Sequence, residues 1–309
     1  MRRVLILAVV ALGFCTAACA SAGWPAPIDD FKTNVDKTVG VVSDYYSALN
    51  EYERHIYLET AFVDPSLEIV AVDASGAATP LVGRVFSAEA VRARTDALAL
   101  VGVYARRLAD LAGSKAGATF AANADALGKD LASLAGTFST LAETDVRAKP
   151  YVQPISTLVS VIGQVFLEGQ RELALQKAVA EGAPAVDQIL RTIEDDLTAA
   201  VDPLRKSGEK QLLAQLVHDY NVNRMTWAEA RRRRQITDIE KAAQGYSMAL
   251  LLNPADVVSG LRDAHDALVA YARSRKLPSD LSAVASAMEI YAQRVDRAAH
   301  ALRTLRDLR

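Results

Sequence analysis

Seam positions recur along much of this chain at alternating four- and three-residue steps, the spacing that lines up one side of an α-helix. The first stripe occupies residues 28–63 and runs through Val35, Val39, Val42, Tyr46, Leu49, Ile56, Thr60 and Val63. It predicts one helix of roughly 50 Å at 1.5 Å rise per residue, with a seam suited to coiled-coil-like packing. Asp29 and Asp30 fall in its first turn, where the helix dipole favours negative charge. Asp64-Pro65 ends it, because a residue before proline is pushed out of helical geometry. Glu53 takes the one seam position that ought to be apolar.

The stretch at 65–86 breaks the helical texture. Two β-prone runs flank Asp73-Ala74-Ser75-Gly76, so a small hairpin or an irregular loop is expected there. No catalytic residue type clusters in it, and it reads as a connector. Ser87 then caps a second helix reaching Ala112, with Val91, Thr95, Leu98, Gly102, Ala105 and Leu108 inward. An alanine-rich helix follows to about residue 144. Lys149-Pro150 opens a fourth, whose 155–167 portion is apolar on nearly every side and is expected to be central; it ends near Gly182. Ala183-Pro184 begins the longest helical stretch, reaching Leu252 with a kink at Pro203 and a break at Ser207-Gly208. Its later stripe is Val222, Met225, Ile236, Ile239, Ala243, Tyr246 and Leu250, a register that also turns Glu229 and Arg232 inward. Two shorter helices complete the chain. These elements predict an all-α fold: an elongated antiparallel helical bundle with long coiled-coil-like helices, forming one domain over residues 28–309.

The N-terminus has a different pattern. Arg2 and Arg3 precede an uninterrupted apolar run at residues 4–15, the layout of a secretory signal. That run is too short to span a bilayer, which takes roughly 20 apolar residues. Residues 1–22 therefore read as an export signal. Cleavage after Ala22, at Ala20-Ser21-Ala22, would leave a soluble chain. Alternatively, Thr16-Ala17-Ala18-Cys19 resembles the bacterial lipobox, although Thr16 stands where a leucine is usual. That resemblance implies acylation of Cys19 and tethering to a membrane, the outer membrane being favoured. Residues 23–27, rich in small residues and proline, suit a short tether between lipid and domain.

Composition narrows the chemistry. Cys15 and Cys19 are the only cysteines, so the domain has no disulfide, thiol nucleophile or cysteine metal site. Hydrophobic residues make up 51% of the chain and aromatic ones only 6%, which implies a large core built from aliphatics and alanine. A formal net charge of −2, more negative once Arg2 and Arg3 are removed, argues against a nucleic-acid binder. The sequence has no phosphate loop, no H-E-x-x-H helix, no haem-attachment motif and no nucleophile elbow. No cofactor is expected.

Three polar groupings stand out. Glu51, His55 and Glu59 share one helix face at i, i+4, i+8 spacing, but a bundle metal centre also needs a second half-site, and no other histidine has glutamate three residues before it. Arg231 to Arg234 form an arginine run that splays around a helix rather than making one flat patch; it reads mainly as structural, with contact to anionic lipid or phosphate as the alternative. Glu53, Glu229 and Arg232 are the interior set. With Tyr52 and Asn221 they form either an ion pair that fixes helix register or a polar pocket inside the bundle. The expectation is an exported envelope lipoprotein acting as a binding or structural module and not as an enzyme. A periplasmic carrier of a small ligand or metal in that pocket is the alternative, and an enzyme has only the polar interior in its favour.

Overall fold

The computed structural model describes residues 25–76, 79–82, 88–113, 136, 139, 140, 143, 149–165, 171–275 and 277–307. The export segment with Cys19, the proposed cap Ser87 and most of the alanine-rich stretch lie outside them. The helices are α1 (Pro25–Val63), α2 (Ala88–Gly113), α3 (Lys149–Val165), α4 (Arg171–Asp196), α5 (Asp202–Asn223), α6 (Glu229–Leu251), α7 (Ala255–Arg273) and α8 (Pro278–Asp307). Among the described residues there is no β-strand, and the fold is an all-α bundle.

Several boundaries differ from expectation, each for a local reason. Helix α1 starts at Pro25, so part of the expected 23–27 tether is helical. Proline is tolerated in a first turn, where its missing N–H had no helical acceptor. Helix α4 runs unbroken through Gly182 and Pro184. Pro184 lies on the exposed side, where the carbonyl that loses its helical donor can turn to water. Ser207-Gly208 does not break α5 either. Pro203 is accommodated instead by a π-helical turn at Leu197–Val201, closed by the Asp202 N–H donating to the Leu197 carbonyl. The wider turn makes room where a proline ring would meet the carbonyl four residues back. Helix α3 buries Tyr151, Ile155, Leu158 and Val161 but exposes Ser156, Thr157 and Ser160. Over residues 151–161 it is amphipathic, not enclosed on most sides; the rest of the expected 155–167 portion lies outside the residues whose side chains are described.

The largest difference is a turn at residues 224–228, which divides the expected long helix into α5 and α6. Thr226 and Trp227 both donate backbone N–H to the Asn223 carbonyl, at 2.9 and 3.1 Å. Asn223 also donates from Nδ2 to Asp219 Oδ1 at 2.8 Å. Asparagine bonding the nearby chain in this way competes with helix continuation. Helices α5 and α6 pack on each other through Leu212, Leu216 and Ala242, with Leu213 and Ile239 alongside.

The 65–86 excursion is an irregular loop over its described residues. Thr79 holds its base by donating Oγ1 to the Val70 carbonyl at 2.6 Å. Gly76 turns the chain at φ +83°, a left-handed conformation that a side chain would strain.

The fold resolves into two compact units. The first comprises the chain to Lys37, Ala97–Leu190 and Gly260–Gln293; the second comprises Thr38–Asp96, Arg191–Ser259 and Arg294–Arg309. In the first, Tyr104 is fully enclosed. A Cβ on Gly182 would lie 3.0 Å from its ring, so glycine there serves a close approach. In the second, Leu252, Ala301 and Leu305 form a cluster with Met248 packed against it.

Candidate functional site

The polar interior of the second unit is organised by three tyrosines of α1. Tyr45, Tyr46 and Tyr52 are all buried, and each meets a charged residue from another helix. A buried charge is costly unless it is paired and hydrogen-bonded, so these positions are where the sequence departs most from a plain aliphatic core.

Tyr46 donates its hydroxyl proton to Asp196 Oδ2 at 2.7 Å. Arg94 Nε donates to the same oxygen at 2.7 Å, and its Nη1 reaches the Ala90 carbonyl at 2.9 Å. The guanidinium carbon sits 5.7 Å from the centre of the Tyr46 ring. One carboxylate thus neutralises a buried arginine and satisfies a buried phenol.

Arg205 has no exposed surface. Its Nη2 donates to the carbonyls of Ala249 and Leu252, at 2.8 and 3.0 Å, and contacts Asp202 Oδ1 at 3.1 Å. It therefore caps the C-terminal end of α6, where carbonyls run out of helical donors and positive charge is favoured. The Tyr45 ring lies 5.4 Å from its guanidinium carbon. Burial pushes the Tyr45 hydroxyl up to about 12; Arg205 opposes that shift, and Asp202 and Asp256 add to it.

Tyr52 donates its hydroxyl proton to Glu209 Oε1. Glu209 is buried on α5, and Gly245 of α6 leaves it room: a Cβ there would lie 3.2 Å from Oε2. Beside this carboxylate lies a groove of about 360 Å³, also lined by His55, Glu59, Gln235, Asp238 and Lys241. Its walls combine charged and apolar surface, so it can accept a small polar molecule, with Glu209 as its buried acceptor.

The interior set expected from the sequence does not assemble. Tyr52 is buried as expected, but its partner is Glu209, and Glu53 is half-buried. Glu229 is on the surface, bonded to Arg233 at 2.7 Å. Arg232 is half-buried and its Nη1 reaches the Arg224 carbonyl at 3.3 Å. Asn221 is exposed. The turn at 224–228 resets the helical register, so a stripe carried across it points Glu229 to the wrong side.

The residues that do go inside carried a readable signal. Helix α5 buries Arg205, Gly208, Glu209, Leu212, Leu216 and Asp219, one continuous helical stripe. Extending the Leu212–Leu216 stripe in both directions finds all three charges. The pairing of Arg94 with Asp196 had no such signal, since it spans 102 positions.

On the exposed face of α1, His55 Nε2 lies 3.9 Å from Glu59 Oε1. Among the described residues, no three histidine, cysteine, aspartate or glutamate side chains gather as a metal site. No described helix is long and apolar enough to cross a membrane.

The first unit holds one buried histidine. His265 Nε2 is 3.2 Å from the Tyr104 hydroxyl, and its ring is 5.8 Å from that of Phe31. Burial lowers its pKa to about 4, with Asp187 pulling the other way. Burial also drives the Tyr104 hydroxyl upward. Both shifts favour the neutral form of each group near pH 7.

Comparison with protein-family models, curated proteins and solved structures returned no match.

Proposed function

We propose that this chain is an exported bacterial envelope protein, tethered through Cys19 to a membrane, with the outer membrane favoured. Its helical bundle then works as a binding or structural module and not as an enzyme. The observation that carries the reading is the N-terminal pattern: Arg2 and Arg3, the apolar run at 4–15, and Cys19 after three small residues. Acylation of that cysteine with two chains supplies the anchoring that a single chain does not. Within the interior, Arg94 pairs with Asp196, Arg205 caps α6 and Glu209 accepts from Tyr52, contacts that a packed structural module would use. Substituting Cys19→Ala tests the tether: acyl labelling should disappear and the protein should leave the membrane fraction. Unchanged labelling and fractionation would refute it.

A second reading is favoured by the groove beside Glu209. In it, the module carries a small ligand with a hydrogen-bond donor or positive charge directed at that carboxylate. Native mass spectrometry of gently purified protein should then show a retained mass that is lost in Glu209→Gln. A clean apo spectrum, with no thermal shift across a panel of metals and metabolites, counts against it.

A further inference from the structure

The turn between α5 and α6 leaves greasy and basic residues together at one end of a helical hairpin. Met225 is 85% exposed, Val222 62% and Phe62, at the end of α1, 64%. Trp227 is half-buried in the turn. Arg231 joins two of the aromatics: its guanidinium carbon is 4.0 Å from the Trp227 ring centre and 5.5 Å from that of Phe62.

Charge within the turn and the start of α6 is predominantly positive, with Asp219 buried just before it and Asp238 just after. Residues 220–236 contain five arginines, Arg224 and Arg231 to Arg234, against one acid, Glu229. Glu229 is taken by Arg233. Arg224 and Arg232 donate only to main-chain carbonyls, and Arg234 has no ion pair among the described residues. The whole chain is formally −2, so this concentration of positive charge is local to the hairpin end.

We propose that this end of the hairpin docks on an anionic lipid bilayer, with Met225 and Val222 entering the headgroup boundary and Trp227 at the interface. The chemistry of the tip selects that occupant. Unpaired guanidinium groups complement lipid phosphates, each worth about a fivefold gain in partitioning near an anionic surface. Trp is at home at an interface because one edge is polar and its face is apolar. Arginine stems can lie along the apolar side while their heads remain in the headgroup layer. Met225 projects from the turn and Val222 from the last turn of α5, which suits insertion into a deformable surface. The contact is separate from the Cys19 tether and does not depend on it.

The test uses the full chain bearing Trp24→Phe, so that Trp227 is the only tryptophan. The protein is mixed with vesicles of zwitterionic phosphatidylcholine, or of equal parts phosphatidylcholine and phosphatidylglycerol, with brominated acyl chains in either. Attachment through the N-terminal apolar run, which Arg2 and Arg3 favour on anionic vesicles, is common to every variant, so variants compared on the same anionic vesicles isolate the signal of Trp227. Expected on the anionic vesicles are a blue shift and bromine quenching of Trp227 that weaken at high salt. Phosphatidylcholine alone should give neither. Arg224→Gln with Arg234→Gln should lower the lipid affinity read at Trp227 about 25-fold. Met225→Asp, at a site exposed enough to leave the fold alone, should abolish the quenching.

Equal signals on the two vesicles would overturn the proposal. So would full quenching in Met225→Asp, or binding that requires the arginines but never shifts Trp227. An acidic protein that protects Trp227 while anionic vesicles do not would replace the lipid by a different occupant. Because Cys19 plays no part in the readout, failure of the tip and failure of the tether are separable.

Discussion

Tyr52 and Glu209 lie 157 positions apart and share a hydrogen bond in the interior of the second unit. The tyrosine hydroxyl supplies a donor that the buried carboxylate would otherwise have taken from water. Replacing Tyr52 by Phe keeps the ring and removes the donor. We expect a loss of about 1–3 kcal/mol, the cost of withdrawing one partner from a buried charged acceptor. Urea denaturation measures it. A double-mutant cycle with Glu209→Gln should give a coupling energy above roughly 0.5 kcal/mol; additive losses would show that the two side chains do not depend on each other.

The Arg94–Asp196 pair should respond asymmetrically. Asp196→Ala leaves an arginine buried beside Tyr46 with its carboxylate gone, and should cost about 3–5 kcal/mol. Changing both partners to apolar residues of similar volume should recover most of that loss. Equilibrium unfolding of the single and double variants distinguishes this from simple additivity. A double variant as unstable as the sum of its parts would mean that the pair does not act as a unit.

Two glycines in helices should give opposite signs. Gly182→Ala places a methyl 3.0 Å from the Tyr104 ring, and the ring, itself enclosed, must move; about 1–3 kcal/mol should be lost. Gly40 has no atom within 4 Å of an added Cβ. Gly40→Ala should therefore stabilise α1 by about 0.5–1 kcal/mol through backbone entropy alone. Thermal unfolding of the two variants checks both signs at once.

His265 makes stability depend on pH. Burial lowers its pKa to about 4 in the folded protein, from 6.5. Between those values the unfolded chain binds a proton that the folded chain refuses, so stability falls as pH drops from 6.5 toward 4. Above 6.5 both states are neutral and His265 contributes no slope; below 4 both are charged and the slope from this residue ends. The loss across the window is on the order of 3 kcal/mol. A His265→Phe variant should show a flatter stability profile over this range than the parent. Parallel profiles would mean that the slope comes from other groups.

The helical class was legible because the seam steps of α1 and the stripe around Leu212–Leu216 are local properties of the chain. The division of the long segment at 224–228 was not, because its cause is a set of short side-chain and carbonyl bonds at Asn223 without a proline or glycine to announce them. That one turn also explains why Glu229 and Arg232 were expected inside and are not. Tyr52 is buried on α1, whereas finding its partner Glu209 requires extending a stripe through charged positions. Arg94 illustrates the limit of periodic reading. It lies on the inner side of α2 next to Leu98, yet only the folded chain brings Asp196 to it. Pairings across helices are set by topology, and hydrophobic spacing within one helix does not encode them.

Cys19 separates a membrane-tethered protein from a free one. Mass spectrometry of the mature protein, taken from the membranes of the organism that makes it, reads the outcome directly. The tethered reading predicts a chain that begins at Cys19 and carries a diacylglycerol on that cysteine. A mature chain beginning at Gly23 with no lipid, or one that retains Met1, would contradict it.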